Sequence, residues 1–157
     1  MFSFLFKLLI LILCLALLFG IWRTWKMEHS PNQTLYVRGT APTPPPDGFY
    51  RGSVGEHKIS WLGKRFNASE KSGINVFDDG KGIHKERYPF KTAYTKGLTD
   101  KDLNVLAIDY NIPENPFWLR PVLDEVVQIA PHEYLGKLHL RLIPGYPFTL
   151  GYFKLTK

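Results

Sequence analysis

Residues 8–22 read Leu-Leu-Ile-Leu-Ile-Leu-Cys-Leu-Ala-Leu-Leu-Phe-Gly-Ile-Trp without one charge, and this run constrains everything that follows it. As a helix it covers about 22 Å. Phe2, Phe4, Leu5 and Phe6 extend it toward the roughly 30 Å of a bilayer core. Lys7 interrupts the extension, but so near the end it can snorkel to the headgroups. Trp22 and Trp25, with Arg23 and Lys26, form the aromatic and basic collar expected at a membrane interface. The expectation is a membrane anchor over residues 1–26, single-pass and in contact with lipid through residues 2–25. The competing reading is a cleaved secretory signal. Its basic start and apolar middle fit, but Phe19-Gly-Ile-Trp-Arg23 offers no small-x-small cleavage site. Leu13 before Cys14 also departs from a lipoprotein signal. Lys7 on one side nearly balances Arg23 and Lys26 on the other. The likeness to a signal-anchor therefore decides orientation, with the soluble part on the periplasmic or extracytoplasmic side.

Residues 27–47 have a different character. Pro31, Asn32 and Gln33 are followed by Thr40-Ala-Pro-Thr-Pro-Pro-Pro-Asp-Gly48. Consecutive prolines fix extended geometry and remove backbone donors, so this stretch reads as a stiff Pro-rich tether. Asn32-Gln-Thr34 and Asn67-Ala-Ser69 match the glycosylation pattern, relevant only in a eukaryotic secretory setting.

Residues 48–157 are then one domain, large enough for a core without staples. Short aromatic and β-branched runs alternate with Gly, Pro and Asp turns. Strands are expected near 49–53, 57–63, 73–78, 88–94, 104–111, 122–129, 134–142 and 147–156. Asn115-Pro116 has the look of a helix start, yet Pro121 argues against a long helix. A short turn or helix over 115–120 should feed the sixth strand. Alternation in Leu135–Leu142 places Leu138, Leu140 and Leu142 on an inner face and Lys137, His139 and Arg141 on a solvent face. So many short antiparallel strands suggest a mainly β fold, a small closed barrel or a sandwich; a barrel of about eight strands either fills with side chains or holds one small ligand.

The formal charge of +6 is spread out, with only the Lys64-Arg65 pair adjacent in the domain, so no nucleic-acid surface is expected. Cys14, the one cysteine, lies in the apolar run, which leaves the domain without a thiol nucleophile or Cys-based metal site. His29, His57, His84, His132 and His139 show no metal-ligand spacing. Asp100-Lys-Asp102-Leu-Asn104 starts like a calcium loop but has Val105 where Gly is needed and Asn111 where Glu is needed. No Walker A sequence, G-x-S-x-G elbow or dinucleotide motif occurs. No cofactor and no metal are expected, and nothing establishes an enzyme.

Charged groups in apolar context remain: Arg120, Asp124, Glu125 and Asp109. Three readings stay open. Arg120 closes the barrel by pairing with a carboxylate, Arg120 greets a ligand carboxylate or phosphate, or Asp109, Asp124 or Glu125 performs acid–base chemistry with a shifted pKa. Trp61, Tyr110, Trp118 and Tyr152 are candidate pocket walls, with Arg120 the fifth candidate ligand-binding residue; no catalytic residue is assigned.

Phe49-Tyr-Arg-Gly52, Trp61-Leu-Gly-Lys-Arg-Phe66, Ile108-Asp-Tyr-Asn111, Asn115-Pro-Phe-Trp-Leu-Arg120, Leu123-Asp-Glu-Val126, Tyr134-Leu-Gly-Lys137 and Gly151-Tyr-Phe-Lys-Leu155 together resemble uncharacterised bacterial proteins with a lipocalin-like barrel. The resemblance spans Phe49 to Leu155 and implies a calycin-type fold for small apolar ligands. Lipocalins proper open with Gly-x-Trp, whereas here Gly63 follows Trp61. The functional expectation is a membrane-anchored lipocalin-like module that binds a lipid or other small apolar ligand. The alternatives are an envelope interaction module with a filled barrel, and a small isomerase or hydrolase on the same barrel.

Overall fold

A computed structural model describes residues 2–56 and 59–157; His57, Lys58 and the expected start of a strand at 57 lie outside the described residues. Helix α1 runs Phe2–Glu28 and α2 runs Pro31–Tyr36. Eight strands follow: β1 Gly48–Ser53, β2 Trp61–Asn67, β3 Ser72–Asp78, β4 His84–Lys96, β5 Asn104–Asp109, β6 Val122–Ala130, β7 Glu133–Ile143 and β8 Tyr146–Thr156. Each pairs antiparallel with its sequence neighbour, and β8 returns to β1, closing a barrel. Closure leaves no open sheet edge. The chain is thus a mainly β, eight-stranded antiparallel barrel preceded by an apolar helix.

Seven strands lie close to where alternation and turn residues put them, and the 115–120 segment is a turn feeding β6. The eighth, β2, starts at Trp61 and runs past Lys64-Arg65 to Asn67. A bulge explains why. Trp61 pairs with Phe77 but Gly63 with Val76, so one residue is extra on β2. Gly63 adopts φ +140, open to glycine and strained for other residues. The bulge resets the alternation, so Trp61 and Lys64, three apart, both face inward.

The barrel interior packs Tyr50, Phe66, Phe90, Ile108, Tyr110, Val126, Tyr134, Phe153 and Leu155 into one cluster. A second cluster lies outside the barrel wall, where Tyr36 and Met27 cover Val105, Val127, Leu135 and Tyr152. This second layer corrects two expectations. The 27–47 stretch is laid on the barrel: Tyr36 is fully buried, Thr40 bridges to Gln128 through both backbone bonds, and the Pro42 carbonyl accepts from the Tyr94 hydroxyl. The outer face of β7 is not solvated either, since Lys137 and His139 are both 0% exposed. Alternation separates the two faces of a strand correctly but cannot tell that a helix roofs one of them.

Helix α1 has two parts. Phe4 through Phe19 are exposed around the whole circumference, and Ser3–Glu28 is long and apolar enough to cross a membrane. From Gly20 onward the helix docks on β8. A Cβ on Gly20 would stand 2.9 Å from the Phe148 ring, so the missing side chain permits the approach. Arg23 Nε donates to the Leu150 carbonyl at 2.8 Å, and the Thr149 N–H donates to Thr24 Oγ1 at 3.0 Å.

Candidate functional site

Inside the barrel, toward the end bearing the β1–β2, β3–β4, β5–β6 and β7–β8 connections, lies a cavity of about 340 Å³. Its walls are mainly apolar: Val54, Ile59, Phe77, Leu119, Leu138 and Phe153. The volume is at the lower end of small-molecule sites.

At its inner end sit four buried polar side chains. The Lys64 Nζ lies 3.0 Å from Asp124 Oδ2, donates to Asn75 Oδ1 at 3.0 Å, and donates to the Tyr110 hydroxyl. That hydroxyl donates to Asp124 Oδ2 at 3.2 Å. Asn75 also accepts from Trp61 Nε1 at 3.1 Å and donates to the Tyr88 carbonyl at 3.0 Å. Tyr88 is the extra residue of a second bulge, between Ile74 and Asn75 on the partner strand, and takes φ +60. A bulky residue in that region is strained, and here the strain accompanies a side chain on the cavity wall.

The ammonium of Lys64 stands 5.1–5.5 Å from the ring centroids of Trp61, Phe90, Tyr110 and Phe153, within cation–π range. Lys64 is 2% exposed. Burial pushes its pKa below the ordinary lysine value, against the opposing pull of Asp124. Burial pushes the Tyr110 phenol well above its ordinary value, and the Asp124 carboxylate adds to the rise. One valence is left over. Asp124 Oδ1 is buried and has no partner among the described residues. An unmet carboxylate oxygen is costly in a dry interior, and it belongs to a residue lining open volume. This arrangement can receive a hydroxyl or protonated group at Asp124 and offer the Lys64 ammonium to an oxygen.

The five candidate pocket residues separate. Trp61 and Tyr110 come together on the cavity wall. Trp118 is 55% exposed on the β5–β6 connection, its ring 5.9 Å from Tyr88. Arg120 donates to the backbone carbonyls of Asn115 and Pro113, at 3.0 Å each, so it braces its own loop and pairs with no carboxylate among the described residues. Tyr152 points outward beneath the helices and donates to Gln33 Oε1. The three carboxylates weighed for acid–base chemistry are each paired: Asp109 with Arg141 at 2.6 Å, Asp124 with Lys64, and Glu125 with His139 at 3.1 Å. Lys64 and Asn75 escaped the sequence reading, because a Lys-Arg pair reads as surface. The available signal was Lys64-x-Phe66 just after a glycine, a charge on the same face as an aromatic.

A second polar cluster lies outside the wall. Lys137 Nζ meets Glu28 Oε1 at 2.8 Å, Asp100 Oδ2 at 2.9 Å, Thr99 Oγ1 at 2.8 Å and Gln33 Oε1 at 3.0 Å. Beside it, Glu125 bonds His139 and the Leu98 N–H, and Thr149 joins His139 Nδ1 to Glu28. These bonds tie α1 and α2 to the barrel.

The geometry defines a class: an eight-stranded closed antiparallel barrel with an internal cavity and an N-terminal apolar helix. No protein-family model matches the chain, and no curated protein is similar to it in sequence. A solved structure, described as a protein from Thermomonospora curvata, is similar in fold, with a TM-score of 0.57 at 16% identity over 80% of this chain and 84% of that one.

Proposed function

We propose that the barrel is a membrane-anchored, lipocalin-like binding module for a small amphiphile, one with an apolar body and a single hydrogen-bonding head. The observation that carries this reading is the unpartnered Asp124 Oδ1 beside the Lys64 ammonium at the inner end of an apolar cavity. A purely filled barrel would gain more from apolar side chains there, since replacing a buried ion pair with well-packed apolar residues is often neutral or stabilising. The apolar walls accept a hydrocarbon; the head meets Asp124 or Lys64. Helix α1 holds the module in a bilayer as a signal-anchor with the barrel on the extracytoplasmic side. Its continuous run into the docked Gly20–Glu28 segment supports retention of the helix, because Glu28 completes the Lys137 cluster.

The test is titration of the full chain in detergent with octanol, octanoic acid and octane, read through tryptophan fluorescence, since Trp61 lines the cavity. Octanol or octanoic acid should bind saturably and octane more weakly. Val122→Phe, which fills part of the cavity, should abolish the saturable signal. Absence of saturable binding by all three compounds, or a Val122→Phe response equal to the parent's, refutes the proposal.

A further inference from the structure

We infer that the open rim of the barrel rests in the surface of the bilayer that α1 enters, so that the cavity opens onto lipid. The inference rests on α1 lying in a membrane, and otherwise on how α1 is joined to the barrel.

There is no swivel between helix and barrel. Gly20 meets Phe148, Arg23 meets Leu150, Thr24 and Glu28 both bond Thr149, and Glu28 also reaches Lys137, the register partner of Tyr152, so the helix is held at several points with Gly20 nearest the start of β8. Followed backward, α1 leaves the barrel past the start of β8. That is the end with the β7–β8 connection and the cavity mouth. From Phe148 back to Tyr146 is about 7 Å of strand, equal to about five residues of helix, so the β7–β8 tip stands level with Leu15–Phe19. The Trp22 and Trp25 rings, the aromatic collar of the helix, are half-exposed or more, and Lys26 Nζ lies 5.2 Å over Trp22. With this collar at the water–lipid boundary, the tip lies about 10 Å deeper than Trp22, the deep end of the range for interfacial segments.

The surface chemistry agrees with that placement. This end exposes apolar residues in or beside all four connections: Val54 and Ile59, Ile83, Phe117 and Trp118, and Leu142, Ile143 and Tyr146 at the ends of β7 and β8; Glu56, Lys81 and Glu114 are exposed among them, charges that reach the headgroups. Phe117 is 81% exposed. The opposite end exposes Ser69, Glu70, Lys71, Lys101, Asp102 and His132. Outside α1, Leu35, Val37 and Tyr94 are exposed elsewhere, but most of the exposed large apolar side chains gather on this rim, and such a gathering marks an interaction surface. Val54, Ile59 and Leu119 belong both to these connections and to the cavity wall, so an amphiphile would enter tail-last from the leaflet without crossing water.

The experiment is site-directed spin labelling of the full chain in phosphatidylcholine vesicles, comparing accessibility to oxygen and to a water-soluble nickel chelate. Native Cys14 is labelled first, then Phe117→Cys, Ile143→Cys, Ser69→Cys and His132→Cys in a Cys14→Ala background. Labels at 14, 117 and 143 should lose access to the chelate and gain access to oxygen, while those at 69 and 132 keep the chelate. Chelate access at 117 and 143 with a lipid-buried label at 14 overturns the inference and leaves the anchor standing. Chelate access at 14 overturns both. The octanol titration is run in detergent and fails or succeeds independently of either.

Discussion

The barrel wall carries a buried lysine on each side, and the two are built differently. Outside, Lys137 has four oxygen partners within 3.0 Å; its cluster spans α1, α2, the β4–β5 connection and β7. Inside, Lys64 shares its partners with Tyr110 and Asn75, and the carboxylate it neutralises, on a residue lining open volume, has one buried oxygen unmet. A fully satisfied polar network fixes a structure; a partly satisfied one is tolerated where something else completes it. The outer cluster is therefore a clamp, and the inner one the proposed binding site.

Substitution separates them. Lys137→Met should produce the largest effect, a loss of about 3–5 kcal/mol, because it strands Glu28 and Asp100 together in a buried setting. Urea unfolding in detergent measures it, and limited proteolysis should then cut within 29–47 as the helices lift. Restored resistance in that segment would show that the clamp is dispensable. Lys64→Met alone should cost about 3 kcal/mol by leaving Asp124 uncompensated, whereas Lys64→Met with Asp124→Leu should come back to within about 1 kcal/mol of the parent. That pair removes the site but not the fold, so octanol binding should vanish from a stable protein. Retained binding in the double variant would remove the distinction between clamp and site.

Tyr110→Phe is a finer probe. It deletes one hydroxyl that bridges Lys64, Asn75 and Asp124, and should cost about 1–2 kcal/mol while weakening the binding of octanol. The smallest effect is in pH. The native Lys64 pKa is depressed below 10.5, so between the two values the unfolded chain holds more protons and stability rises with pH. Stability lent by this group is complete above 10.5 and is lost as pH falls through the native value. The Tyr110 pKa is raised, so its contribution has the opposite sign and starts to fall away only as pH passes 10.0. Unfolding free energies measured below pH 10 should slope upward in the parent and lose that slope in the Lys64→Met, Asp124→Leu variant.

Much of the architecture was legible in the chain because it depends on local periodicity. The apolar run before Trp22 allows one helix, and two-residue alternation between Gly, Pro and Asp turns places seven of the eight strands, six within about two residues at each end and β4 starting four residues earlier than expected. Even β2 fails for a local reason, the Gly63 bulge, which alternation does not register. Of the four aromatic candidates for a pocket wall, Trp61 and Tyr110 line the cavity and Trp118 and Tyr152 do not. The places of Arg120 and Tyr152 were not legible, because which face becomes the lumen and which polar group finds a backbone carbonyl depend on chain segments far away.

The amino-acid order alone determined an apolar helix leading into a domain of short antiparallel strands, since both arise from patterns a few residues long. Only the tertiary structure decided that residues 27–47 wrap the wall, that Lys137 lies under a roof, and that Lys64 faces Asp124 sixty residues on. Burial and partnership are properties of a closed surface, and they take their values only once β8 has met β1 and α1 has settled on β8.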